Sequence, residues 1–299
     1  MGLTNYHTHC NYCDGSSPME AYVLEAIQQG FSSIGISSHA STPVQMPWSM
    51  GRRQWPQYLQ DLMVLKGKYA REIEVYAGLE VDYVPGISWW DFHGSAIKSL
   101  DYVIGSVHLV DAFADGTPWE IDGDHPAFMK GLNEIFHGDV QVAVSRYFEL
   151  MRWMLMLENP DVLGHMDKIK VQNIQGKLFS EGDLWYKSEI DKTLKVASTM
   201  GTIVEINTRG WYSGRVDSCY PSPWILERMA QMKIPVTISS DAHRPEEISA
   251  GIGFAVETLL GCGYKSVVVL ENGKWTPQPL NNGALSLLEN SKGSQNRIA

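Results

Sequence analysis

The sequence predicts an α/β fold, a TIM-like (β/α) barrel with seven parallel strands in the ring. Three observations carry that expectation. Short apolar runs alternate with helix-patterned stretches along most of the chain, as expected for parallel strands joined by crossover helices. Nearly every predicted strand ends in a polar candidate: His7 and His9, His39, Glu80, His108, His165, Glu205 with Asn207 and Arg209, and Asp241 with His243. A closed barrel gathers all strand ends on one face, whereas an open sheet offers one crevice, so a ring converges this set most easily. Finally, no linker and no internal repeat divides the 299 residues. Residues 1–280 are therefore expected to form one barrel domain, and 281–299 a C-terminal tail.

Each element has its own signal. Leu3 to Tyr6 is a short apolar run that ends in His7-Thr8-His9. Residues two apart on a strand face the same way, so both imidazoles can aim at one point. A lone His-x-His has the alternative of a half-buried strand whose histidines bond elsewhere. The loop 10–17 carries Asp14 and Gly15, and Ser17-Pro18 opens a helix over 18–29, with Ser at the cap and Pro at the first helical position. Residues 31–37 form a strand ending at Ser38-His39, and 40–53 form an irregular loop with two prolines and Trp48. Tyr58, Leu62, Leu65 and Tyr69 share one face of a helix over 54–70. Residues 73–81 read as one strand carrying Glu80, and 100–107 as another followed by His108. Residues 111–138, rich in Gly, Asp and Pro, have no clear period and read as an active-site loop. Helices follow at 140–157, 180–200, 222–232 and 245–260. The intervening strands are 162–165, 202–207, 234–239 and 266–270.

The composition is that of a globular protein, 44% hydrophobic and 19% charged. A net charge of −10 argues against nucleic-acid binding, which needs Lys and Arg to neutralise phosphates. No apolar run is long enough to cross a membrane. The first residues carry no secretory leader, and with only four cysteines in the chain a cytoplasmic location is expected. Cys10-x-x-Cys13 has no second pair to complete a four-thiolate zinc site, so core or loop thiols are the expected reading.

Six of the nine histidines (His7, His9, His39, His108, His165 and His243) lie at or just beyond predicted strand ends. With Asp14, Glu80 and Asp241 they exceed the coordination sphere of one ion, so two or three ions sharing carboxylates are expected. Imidazole with carboxylate suits zinc, manganese or iron. Clustered divalent ions activate water and clamp phosphoryl oxygens, which points to phosphoester hydrolysis.

His7-x-His9, Ser38-His39, Gly78-Leu79-Glu80, Gly105-Ser106-Val107-His108, Gly164-His165 and Ser240-Asp241-Ala242-His243 together resemble the motif series of the PHP (polymerase and histidinol phosphatase) superfamily. The stretches 102–108 and 205–208 are most similar to its stand-alone histidinol-phosphate phosphatases. The resemblance spans about residues 3–265. It implies a distorted seven-stranded barrel with the active site at the C-terminal strand ends, and a site for three divalent ions. By that analogy His7, His9, Glu80 and Asp241 hold the first ion. Glu80 bridges to a second held by His108 and His165, and Asp14, His39 and His243 hold the third. Asp14 has the alternative of an Asx-turn before Gly15.

The implied reaction is hydrolysis of L-histidinol phosphate, a step of histidine biosynthesis, by attack of a metal-bridging hydroxide. The substrate is then a small cationic phosphomonoester, and no protein partner is required. Arg209 is the expected phosphate clamp, with Arg244, Lys168 and Lys170 behind it. Asp241 is expected to handle a proton while ligating. Glu205 faces a substrate cation or supports the ligands, and Trp48 or Trp211 stacks on an imidazole or packs as lid or core. Loops 40–53 and 111–138 are expected to set substrate choice. Two alternatives stand: another small phosphomonoester or a nucleotide or oligonucleotide end as substrate, and a catalytically silent metal-binding module.

Overall fold

The computed structural model describes residues 2–280, so the expected tail 281–299 lies outside the described residues. In chain order the strands are β1 (Leu3–Asn5), β2 (Phe31–Ile36), β3 (Glu74–Ala77), β4 (Glu80–Asp82), β5 (Ile104–Ser106), β6 (Leu109–Ala112), β7 (Pro118–Glu120), β8 (Val162–Leu163), β9 (Ile203–Asn207), β10 (Val236–Ser239), β11 (Ser266–Glu271) and β12 (Lys274–Pro279). The helices are α1 (Met19–Gln28), α2 (Trp55–Tyr69), α3 (Trp89–His93), α4 (His125–Phe136), α5 (Val140–Leu157), α6 (Leu184–Met200), α7 (Arg209–Tyr212), α8 (Pro223–Gln231) and α9 (Ile252–Gly261).

Two parallel sheets make the ring, β1-β2-β3 and β10-β9-β8-β5-β4. They meet at both seams. Thr8 bridges Ala242 in parallel, with the His9 amide donating to the Ala242 carbonyl at 2.8 Å, and His39 bridges Glu80. Since β3 and β4 are two halves of one run broken at Gly78-Leu79, the ring has seven strand positions, as expected, and it is distorted at that break. The break has a packing cause. The Tyr102 hydroxyl donates to the Tyr6 carbonyl beneath the site, and its ring passes between Gly35 and Gly78. A Cβ on Gly35 would lie 2.1 Å from the Tyr102 hydroxyl oxygen, and one on Gly78 would lie 2.2 Å from Cζ. Gly35→Ala and Gly78→Ala are each expected to destabilise by about 2–3 kcal/mol through overpacking. The double variant should cost less than the sum, because both press on the same ring. Urea midpoints of the three variants check this.

Burial explains the helices. Tyr58, Leu62, Leu65 and Tyr69 are the buried face of α2, as their spacing predicted. At the start of α1, Pro18 is the capping residue rather than the first helical one, and Ser17 makes no cap bond. Two further expectations are corrected. Residues 111–138 are not one irregular loop: they hold the antiparallel β6–β7 hairpin and α4. The residues that read as breakers are caps, since Asp124 accepts from the Ala127 amide, Pro126 sits in the first turn and Gly138 follows the end. The described residues also close on an unexpected hairpin, β11–β12, turning through Asn272-Gly273 with positive φ at both. Its Trp275 packs with Tyr6 and Tyr102, ring centroids 5.3 and 6.1 Å away. With its apolar end closed this way, the ring presents its polar strand ends on the other face.

Candidate metal centre

The nine expected ligands come from distant parts of the chain and converge. Glu80 is at the centre. Its Oε2 lies 2.9 Å from His39 Nδ1, 3.2 Å from His7 Nε2 and 3.5 Å from His9 Nε2. Its Oε1 lies 3.0 Å from His165 Nε2 and 3.8 Å from His108 Nε2, and accepts from the Ser106 hydroxyl at 2.6 Å. The same His9 Nε2 lies 3.2 Å from Asp241 Oδ1, and His243 Nε2 reaches Asp14 Oδ2 at 3.2 Å. Three clusters have ligand atoms mutually close enough for one ion: His7, His9 and Asp241; His39, Glu80 and His108; and His9, Asp14, His39 and His243. His9 and His39 each join two clusters, so the donors are shared more widely than the partition implied by resemblance.

Local structure explains the convergence. His7 and His9 leave β1 on one face. Asp241 holds φ +53°, a left-handed conformation an L-residue adopts at a cost. This kink follows β10 directly. Asn207, at the end of β9, donates from Nδ2 to Asp241 Oδ2 at 3.1 Å and steadies it.

The donor set fits divalent cations. His7 Nε2, His9 Nε2, His39 Nδ1 and Glu80 Oε2 are buried, point into the cluster and have no hydrogen-bond partner. Buried polar atoms are rarely left so, and a shared cation would satisfy all four at once. In the metal-free protein the charges interlock. Burial alone would raise the Glu80 carboxyl, but His39, His7 and His108 outweigh it and hold it well below the carboxylate range. Asp241 and Asp14 are held low in the same manner, against burial, by the histidines around them. His9 goes the other way, driven down by burial and by His243 and His39 beside it.

Behind the ligands stand Asp82, which the motifs did not include, and Glu205, for which a supporting role is one of two expectations. Asp82 Oδ1 binds His108 Nδ1 at 2.9 Å and also accepts from the His108 amide. Glu80 and Asp82 are two apart on β4, a spacing that carried the signal. Glu205 Oε2 binds His7 Nδ1 at 2.6 Å and is 0% exposed, so it sits behind His7 and cannot contact a substrate cation. Such carboxylates fix the ring orientation and tautomer of a ligating histidine. Asp82→Asn and Glu205→Gln are each expected to lower metal affinity by roughly 10–100-fold. Metal titration of the stripped protein measures this, and an unchanged affinity would remove the assignment. Cys13 Sγ lies 3.5 Å from His9 Nδ1, while Cys10 is buried against the Ser38 hydroxyl. All four cysteines are unpaired.

The expected substrate contacts are placed unevenly. Arg209 lies at the rim, donating from Nη1 to the Asp241 carbonyl at 2.7 Å, with the Glu247 carboxylate 3.7 Å away. Lys168 Nζ is 2.9 Å from Asp122 and 3.2 Å from His108 Nε2, inside the cluster's edge. Arg244 is exposed beside His243. Lys170 is corrected out of the set: it is buried, held by Asp167, Ser218, Ser222 and the Cys219 carbonyl. Trp211 stacks on Phe254 of α9, centroids 4.2 Å apart. Trp48 stands beside the imidazoles, tilted against His39 with ring centroids 4.7 Å apart and edge-to-face with His108 at 5.6 Å.

Known proteins resemble this chain in sequence and in fold. A Deinococcus radiodurans protein named "Probable histidinol-phosphatase" is 27% identical over 272 residues, covering 89% of this chain and 96% of its own. The Histidinol-phosphatase of Bacillus subtilis is 24% identical over 273 residues, covering 85% and 97%. The crystal structure of a Lactococcus lactis histidinol phosphate phosphatase, complexed with zinc, L-histidinol and phosphate, superposes with a TM-score of 0.69 at 20% identity, covering 91% of this chain and 98% of that one. At that identity the superposition shows a shared fold. The PHP domain family model matches residues 5–209. That match begins on β1 and takes in every cluster residue except Asp241 and His243, which the seam between β1 and β10 delivers. On the sequence match and the ring it describes, the chain belongs to the PHP domain family.

Proposed function

We propose that this protein is a metal-dependent phosphomonoesterase that hydrolyses L-histidinol phosphate to L-histidinol and phosphate. The observation that carries the reading is the Glu80 carboxylate with five imidazoles around it, its Oε2 and the facing atoms of His7, His9 and His39 being buried without a hydrogen-bond partner. The names of the relatives, and the ligands of the Lactococcus lactis protein, supply the substrate.

His7, His9, Glu80 and Asp241 would hold one divalent ion, Glu80, His108 and His165 a second, and Asp14, His39 and His243 a third, with His9 and His39 placed to share. Zinc, manganese or iron suits these donors. When bound, such ions polarise phosphoryl oxygens and lower the pKa of water. The chain's own residues do the rest. Arg209 keeps guanidinium N–H groups beyond its bond to the Asp241 carbonyl, and these suit bidentate pairing with a phosphate. Lys168 sets a permanent positive charge at the cluster edge, because Asp122 beside it overrides burial and keeps its ammonium protonated. Asp241, whose Oδ2 accepts from Asn207 Nδ2, would pass a proton on while ligating rather than store one, since the histidines around it hold its carboxyl low. Residues 1–280 act as one barrel unit in this reading. The four unpaired cysteines suit a reducing cytoplasm. No helix of the described residues is long and apolar enough to cross a membrane.

The test is metal analysis of the purified protein together with phosphate release from L-histidinol phosphate, p-nitrophenyl phosphate and a nucleoside monophosphate. Bound divalent metal with a kcat/KM for histidinol phosphate at least tenfold above the other two is expected. Preference for either of the others would replace the substrate, and bound metal without phosphatase activity would leave a silent module.

A further inference from the structure

The two segments flanking the cluster meet at a place the mechanism above does not use. Trp48 arrives from the stretch after β2 and stands at an angle against His39 and His108. The β6–β7 hairpin leaves at His108 and returns to it: Leu109 pairs with Glu120, and the Ile121 amide donates to the His108 carbonyl at 3.0 Å. This return sets Glu120 against Trp48, with Asp122 and His108 close by. The two hairpin carboxylates differ in one respect. Asp122 is neutralised by Lys168 at 2.9 Å, whereas Glu120 enters no ion pair among the described residues. Glu120 is only half-buried, so a group arriving from solvent can reach it.

We propose that Trp48 and Glu120 form the recognition site for the leaving group of the substrate, taking an organic cation with a flat ring: ring against the indole, positive charge against the Glu120 carboxylate. This rests on the phosphatase reading above and names how that site chooses its substrate. An indole face is the strongest aromatic partner for a cation, and a half-buried carboxylate without a counter-ion adds a Coulombic attraction stronger than in bulk water. Position supports it as well. Trp48 touches the His39 and His108 side of the cluster, so a group joined to a phosphate held there through one ester oxygen falls within reach. Glu205, the other acidic candidate, is shut away behind His7.

The test compares wild type, Glu120→Gln, Trp48→Leu and Trp48→Phe as full-length, metal-loaded protein. Two quantities are read: the ratio of kcat/KM for L-histidinol phosphate to that for p-nitrophenyl phosphate, and the affinity for L-histidinol by calorimetry. Glu120→Gln and Trp48→Leu are each expected to lower the ratio about tenfold, chiefly through KM, and to weaken L-histidinol by a similar factor. Trp48→Phe should recover part of the loss. Equal losses on both substrates would overturn the proposal, because the residues would then serve the metal centre or the fold. A wild type that prefers L-histidinol phosphate, with variants that keep the preference, would overturn this proposal alone. A wild type with no preference would overturn the substrate reading, and this one with it.

Discussion

Glu80→Gln is expected to strip the protein of metal and to lower kcat/KM for L-histidinol phosphate by about 10³-fold or more. Removing one partner from a buried charged network costs about 3–5 kcal/mol, and each 1.4 kcal/mol is tenfold. Glutamine matches glutamate in size, so the ring and its packing stay. What changes is charge and donor character. One carboxylate oxygen becomes an NH₂ group, which has no lone pair to offer an ion. Both Glu80 oxygens face the cluster, Oε2 toward His7, His9 and His39, and Oε1 toward Ser106, His108 and His165, so either orientation of the amide spoils one side. Metal content and kcat/KM of the variant check the result, with circular dichroism as the control for folding. A variant that kept its metal and lost less than tenfold in activity would show that Glu80 is an ordinary buried acid.

Much of this site was legible because strand geometry turns spacing into direction. His7 and His9 share a face for that reason, and the polar residues at successive strand ends had to meet once the ring closed. The ring itself was legible in its order but not in its break. Residues 73–81 have the composition of one strand, and only the packing of Tyr102 under Gly78, a contact 24 residues away in the chain, splits it. The residues behind the ligands were illegible for a similar reason. Asp82 and Glu205 act through His108 and His7, and nothing in a one-dimensional pattern shows which imidazole nitrogen a carboxylate will meet. Glu205 shows the ambiguity well: a charged residue on a strand end reads equally as a substrate contact or a support, and only its depth decides. Two local signals in the sequence point two ways. Asn272-Gly273 is a strong hairpin turn, masked by the prolines of β12, which an edge strand tolerates. Asp124, Pro126 and Gly138 have the composition of loop breakers, although they are the punctuation of α4.

Withdrawal of metal is expected to abolish phosphatase activity and to lower the melting temperature, by an amount that grows as pH rises. The sign follows from two histidines. In the metal-free protein burial would lower the His7 imidazole, but Glu205, Glu80 and Asp241 outweigh it and raise it well above its ordinary 6.5. Burial also opposes protonation of His108, and Asp82 overrides it, pushing the ring up to about 9. Both rings therefore carry protons at neutral pH, and neither can give a lone pair to an ion until the proton leaves. Metal uptake should release protons, and affinity should rise with pH until both rings are neutral. A base whose pKa is raised on folding stabilises fully below its unfolded value and loses that contribution as pH climbs through the folded one. The metal-free protein is thus expected to weaken between pH 6.5 and about 9 as His108 loses its proton. The loaded protein has exchanged those protons for metal, and free ion at 1,000 times Kd adds about 4 kcal/mol. Melting curves of chelator-treated and reloaded protein at the two pH values, with proton release followed in buffers of different ionisation enthalpy, measure the exchange. If chelation left the melting temperature unchanged and reloading released no protons, the imidazoles around Glu80 would be bonding only to carboxylates, and the cluster would be a polar core.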